Sequence, residues 1–152
     1  MKRTLFAAWI FAVAIIIWPV APSAAAPRCY PAPLSRFVVL GGGLVRDTLT
    51  QLVWQQQAST TTMTWADAKT YCANAGSGFR LPTVKELVSI VDLTVTSGAT
   101  IDQTAFPNTP AETFWTSSPS AVSSGNAWGV YFDYGGSFSI VIGYSSRVRC
   151  VR

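Results

Sequence analysis

A chain of 152 residues with a formal net charge of +4 and no histidine is too weakly basic for a general nucleic-acid footprint and lacks the usual near-neutral acid–base group. Its 49 % hydrophobic content is inflated by the apolar run from Leu5 to Val20 and does not mark a membrane protein. Three cysteines allow at most one internal pair and leave one thiol over.

The first 25 residues read as a signal peptide. Lys2 and Arg3 give a positive start, Leu5 to Val20 an apolar run, and Ala21 to Ala26 a small-residue stretch with cleavage favoured after Ala25. The rival reading is an uncleaved anchor, for which the run is short. Cleavage leaves 127 residues, one ordinary domain large enough to bury a core. Without Lys2 and Arg3 the net charge falls to +2. The expected destination is the cell envelope, as periplasm or outer surface, or the medium, where disulfides persist. The membrane is then a partner only through an unprocessed signal segment.

Residues 26–35 form a proline-rich lead-in around Arg28 and Cys29, and the domain is expected over residues 36–152. Arg36 to Gly43 is a β-rich run ending in a glycine turn. Leu44 to Gln56 reads as two strands joined by a bend at Asp47 to Thr50, where Asp and Thr side chains can bond backbone N–H groups. Thr64 caps a first helix, with Asp67 at its third position. Trp65, Ala68 and Cys72 share its inner face, and Gly76 and Gly78 stop it. Pro82 keeps Phe79 to Leu81 extended. Thr83 and Glu86 make a full capping box for a second helix, whose apolar stripe is Val84, Leu87, Val88 and Val91. A strand follows at Thr113 to Thr116. The last 26 residues read as a three-stranded meander: Trp128 to Asp133, Phe138 to Ile142 after the Gly135-Gly136 turn, and a closing strand. In that strand Val148 and Cys150 face one way, with Arg147, Arg149 and Val151 the other. Strands, two helices and strands again make an α+β domain.

Together, VRDTLTQLVWQ, TWADAKTYC, GFRLPTVKEL, FWTSS and the closing RVRCVR resemble the Lcl C-terminal domain family of secreted and surface bacterial proteins, over most of the mature chain. That family is similar to C-type lectin-like domains. The resemblance implies a looped α+β domain with two helices and a small antiparallel sheet. It also implies a disulfide from the first helix to the last strand, here Cys72 to Cys150. The residues alone leave three pairings open, although Cys72 and Cys150 both lie on inferred inward faces. Binding outside the cell is implied as well; some relatives sit at the tips of collagen-like adhesins and are linked with sulfated glycans. This chain has no collagen repeat. Phe106-Pro107-Asn108 stands where calcium-dependent lectins carry Glu-Pro-Asn, and the acids are scattered singly, short of a hard-cation ligand set. No metal and no cofactor is expected.

The expected ligand site is a patch on the last strands. Arg147 and Arg149, about 7 Å apart on an extended strand, offer guanidinium groups for sulfate-like or carboxylate oxygens. Tyr131, Tyr134 and Tyr144 offer aromatic faces, and Trp128 starts the neighbouring strand. The structural alternative has the arginines bridging to Asp133 and Glu112. Trp54, Trp65 and Trp115 are expected in the core. Arg80 is expected to tie two packed segments through Asp47 or Glu86. No nucleophile elbow, metal cluster or phosphate loop is present, so no catalytic residue is expected; a paired-carboxylate hydrolase would have to draw on Asp102, Glu112 or Asp133. The function expected is recognition of an extracellular glycan or protein. The alternative is an assembly module of the envelope, a homo-oligomer joined through Cys29 or a free sheet edge.

Overall fold

The computed structural model describes residues 35–152. The signal segment, most of the proline-rich lead-in and Cys29 lie outside the described residues. The chain folds as two three-stranded antiparallel sheets and two helices, so the expected α+β class holds with two sheets in place of one.

The first sheet contains β1 (Phe37–Gly41), β2 (Leu44–Asp47) and β3 (Val53–Gln55), in that order. Its β2–β3 bend is held by Asp47, whose carboxylate accepts from the Leu49 N–H at 3.0 Å and the Thr50 hydroxyl at 2.9 Å. The same carboxylate accepts two bonds from Arg36, at 3.0 and 2.7 Å. Asp47 is fully buried. Burial alone would raise its pKa; the Arg36, Leu49 and Thr50 donors outweigh that and hold it below the ordinary value. Arg80 therefore does not use Asp47. Its guanidinium takes Glu86 instead, through bonds of 2.8 and 2.7 Å.

Both helices start where their caps predict. Helix α1 (Trp65–Asn74) begins after Thr64, whose side chain accepts from the Asp67 N–H. Helix α2 (Val84–Ser89) has the full capping box of Thr83 and Glu86, each side chain satisfying an orphan N–H of the first turn. Three of the four residues expected on the inner stripe of α2 hold it, since Val84 and Val91 pack against the core that contains Leu87. Leu87 is buried, but Val88 is exposed and Ile90, at the helix end, is buried in its stead. Ile90 lies three residues after Leu87 and so shares its inward face, whereas Val88 falls one position off that face.

The second sheet contains β4 (Thr113–Pro119), β5 (Asn126–Tyr131) and β6 (Gly136–Val141), with β5 central. Successive residues of β5 serve opposite faces. Val130 joins a core cluster with Phe114, Leu87 and Ile90, whereas Ala127 joins a second cluster with Trp115, Ala68 and Cys72. The sheet thus lies between two cores, with residues of α2 in one and of α1 in the other.

The closing segment is not the third strand of this sheet, as the meander reading required. β4 takes that place, and residues 146–152 run between the two cores. Their backbone bonds are shared among four neighbours. Arg147 N–H donates to Thr113 O and Trp115 N–H to Arg147 O. Ser146 exchanges bonds with Met63, Val151 with Arg80, and Arg152 with Val53. The expected disulfide is present: Cys72 and Cys150 are joined at 2.01 Å, with Cα atoms 5.4 Å apart.

Candidate ligand-binding site

The two arginines expected to face solvent together do not do so. The alternation along the closing segment is real, since Val148 and Cys150 enter one core and Val151 the other. Its second face, however, meets that other core instead of water. Arg149 is consequently 0 % exposed. Its guanidinium donates to the carbonyls of Gln55 and Gln56 and to the Thr109 hydroxyl, and lies 4.7 Å over the Phe106 ring. Among the described residues no carboxylate pairs with it, and its Nε is one of the buried polar atoms without a partner. Burial depresses its pKa to about 9. Arg149 is a buried tie between the closing segment and the end of β3, and no surface ligand reaches it.

Arg147 is half-buried and follows the structural alternative. Its Nε and Nη2 donate to the Glu112 carboxylate at 2.8 and 3.2 Å, and its Nη1 donates to the carbonyls of Ser59 and Thr60 at 3.1 and 2.6 Å. These bonds to Arg147 are the main cause that holds the Glu112 pKa below its ordinary value. The ion pair separates two shallow concavities. Glu112 lines one of about 230 Å³ with Thr62, Thr113, Tyr131, Ser145 and Ser146. Arg147 lines the other, of about 240 Å³, with Ser59, Thr60 and Asn108 among its walls.

The tyrosines fare differently. Tyr131 lies at the end of β5, paired with Thr113 on one side and Gly136 on the other. Its ring meets Tyr134 edge-on at 5.1 Å, and Phe138 lies 6.1 Å from both. Tyr134 is 56 % exposed. A Cβ placed on Gly136 would come within 2.4 Å of Cε2 of the Tyr134 ring, so the ring rests against the bare backbone of Gly136. Glycine at that position leaves the ring one side packed and one side free. Sequence reasoning found the Gly135-Gly136 turn but not this seat, because it took the pair only as hairpin chemistry. Tyr144 is exposed on the turn after β6 and joins none of these ring contacts. Trp128 is half-buried and, by strand alternation, projects from the face of β5 opposite Tyr131.

The structural residues sit as follows. Trp54 and Trp115 are fully buried, and Trp115 Nε1 donates to Met63 O at 2.9 Å. Trp65 is only partly buried; it packs against the second core and its Nε1 donates to Thr116 O at 2.7 Å. A third concavity, about 530 Å³, contains none of the residues expected to bind. It is lined by Arg36, Phe37, Ile90, Val91, Asp92, Leu93 and Asp102. Arg36 is spent on Asp47, while Asp92 and Asp102 each bond backbone N–H groups of their own turns. Asp102 and Glu112 line separate concavities. Among the described residues no group of three His, Cys, Asp or Glu side chains could hold a metal ion.

No curated protein matches the chain. Residues 43–152 match the Lcl C-terminal domain family, a span that runs from the β1–β2 turn to the last residue. With most of its length matched, the chain belongs to the Lcl C-terminal domain family.

Proposed function

We propose that this chain is an exported, C-type-lectin-like recognition domain that binds a carbohydrate or protein ligand without catalysing a reaction. The observation that carries the reading is the exposed Tyr134 ring, seated on Gly136 and packed with Tyr131 and Phe138. Tyr131, whose ring Tyr134 meets edge-on, also lines a concavity walled by Glu112 and the hydroxyl side chains of Thr62, Thr113, Ser145 and Ser146. A flat aromatic surface beside convergent hydroxyl and carboxylate groups suits sugar hydroxyls and rings, or the polar backbone of a peptide. A disulfide closing a 78-residue separation supports export to an oxidising compartment. The covalent tie between first helix and closing segment supports the lectin-like comparison. A glycan array and a pull-down with the exported protein test the proposal. Binding lost in Tyr134→Ala supports it, and no ligand in either assay sinks it.

One observation favours the assembly reading. Strand β1 ends the first sheet, and its Val38, Val39 and Leu40 are 42 %, 52 % and 45 % exposed. An uncharged apolar edge strand is a template for pairing with another strand. The occupant that fits is β1 of a second copy, run antiparallel. Light scattering decides it: a dimer that Val39→Lys converts to monomer supports the reading, and a monomeric wild type removes it.

A further inference from the structure

The site just proposed has a charge pattern that narrows its ligand. We infer that it takes a neutral, hydroxyl-rich sugar ring in preference to a sulfated or carboxylated glycan. This rests on the binding reading above.

Among the described residues, no lysine or arginine lines the concavity beside Tyr131. Arg149 is fully buried. Arg147 is adjacent, but four of its N–H groups are committed to Glu112, Ser59 and Thr60, and a guanidinium has five. Turning it toward an anion would strand the Glu112 carboxylate and two carbonyls. The one charge presented inside the concavity is that of Glu112, whose side chain is 45 % exposed. A sulfate or uronate placed there meets the Glu112 carboxylate, and the one cation beside it, Arg147, is already paired with that carboxylate.

A neutral sugar meets complementary groups. The Glu112 oxygens accept from hydroxyls while Arg147 fixes their orientation. The hydroxyls of Thr62, Thr113, Ser145 and Ser146 donate or accept as required. The ring hydrogens of a pyranose find an apolar face on Tyr134, continuous with Tyr131 and Phe138. The size agrees: about 230 Å³ lies below the roughly 300 Å³ at which sites for drug-sized ligands begin, which leaves room for one ring.

The test is a matched pair of polymers differing in charge alone. Binding of the full chain, expressed with its own N-terminal segment, is measured against dextran and dextran sulfate. The same titration is run with neutral mannan, galactan and chitin oligosaccharides. At least one neutral glycan is expected to bind, insensitive to salt, with the sulfated polymer at least about tenfold weaker at physiological ionic strength. Tyr134→Ala should weaken neutral binding about tenfold. Glu112→Gln should raise relative affinity for dextran sulfate, because it removes the like charge and releases Arg147. Thermal melts of both variants verify that they fold. Tighter binding of the sulfated polymer, lost in Tyr134→Ala, would overturn the neutral preference and keep the binding site. Neutral binding untouched by both substitutions would place the ligand elsewhere. Absence of binding to every glycan in the panel would overturn the sugar inference and, if the pull-down is also empty, the recognition reading beneath it.

Discussion

The closing segment and the β5–β6 hairpin carry the same sequence signature and have opposite fates. Both alternate in period two, and both place polar or aromatic residues on the face opposite their apolar ones. In the closing segment the second face is Arg149 and Val151, and it is sealed against a core. At the hairpin the second core runs out, and Tyr134 emerges at the surface. Alternation divides a strand into two faces; whether a face is wet depends on what the rest of the chain puts over it. The comparison predicts that changes in the closing segment act on stability, and that changes at the hairpin act on binding.

The largest effect should come from the covalent tie. Replacing Cys72 and Cys150 together by alanine frees a 78-residue separation and should cost about 4 kcal/mol, measured by urea unfolding of oxidised wild type against the double variant. A loss under about 1 kcal/mol would mean that the shared backbone bonds of residues 146–152 hold the segment unaided. Arg149→Ala comes next, at about 3 kcal/mol, since it opens a cavity over Phe106 and strips donors from two part-buried carbonyls and the buried Thr109 hydroxyl. Its binding curve should be unchanged at temperatures where the variant is folded. Were Arg149→Ala to abolish binding while leaving the unfolding midpoint in place, the assignment of this side chain to the interior would be wrong.

Local signals were legible and tertiary enclosure was not. Thr64, Thr83 and Glu86 announce their helices because capping is satisfied within four residues. The Asp47 bend is equally local, and the Glu86 partner of Arg80 lies only six residues away. Arg149 was unreadable because an arginine on an alternating strand is ordinarily a surface residue. The carbonyls of Gln55 and Gln56, the Thr109 hydroxyl and the Phe106 ring, all distant in sequence, make its burial tolerable. For the same reason β4, and not the closing segment, completes the second sheet: the Phe114–Val130 register is a long-range fact. Of the expected site, Tyr131 and Tyr134 come together, and Arg147 stands beside them already paired. Trp128 and Tyr144 stay apart from the ring cluster, and Arg149 is lost to the interior.

A smaller effect probes the clamp beside the closing segment. Arg80 pairs its backbone with Val151 and its side chain with Glu86. The Arg80 guanidinium, against the opposing effect of burial and with help from Thr83, holds the Glu86 pKa at about 2. A carboxylate depressed in the folded state stabilises it fully above its unfolded value of 4.5 and loses that contribution as pH falls through about 2. Arg80 is half exposed, so Glu86→Gln should cost only about 1 kcal/mol at pH 7. The difference between wild type and variant should vanish near pH 2, read from denaturant midpoints at both pH values. A difference independent of pH would show that the cap geometry alone, and not the charge, clamps this end.

The smallest expected effect on stability is the most discriminating for the hairpin. In Gly136→Ala the new Cβ meets only the Tyr134 ring at short range, at 2.4 and 3.0 Å from its edge carbons. An exposed ring moves cheaply, so the unfolding midpoint should change by no more than about 0.5 kcal/mol. The platform itself must tilt or lift, however, and stacking depends on its orientation. Neutral-sugar affinity should therefore fall several-fold in a variant as stable as wild type, and Tyr134→Ala combined with Gly136→Ala should be no worse than Tyr134→Ala alone. Additive losses in that pair would mean that Gly136 acts through the hairpin backbone, and the ring would then be a bystander to whatever the hairpin binds.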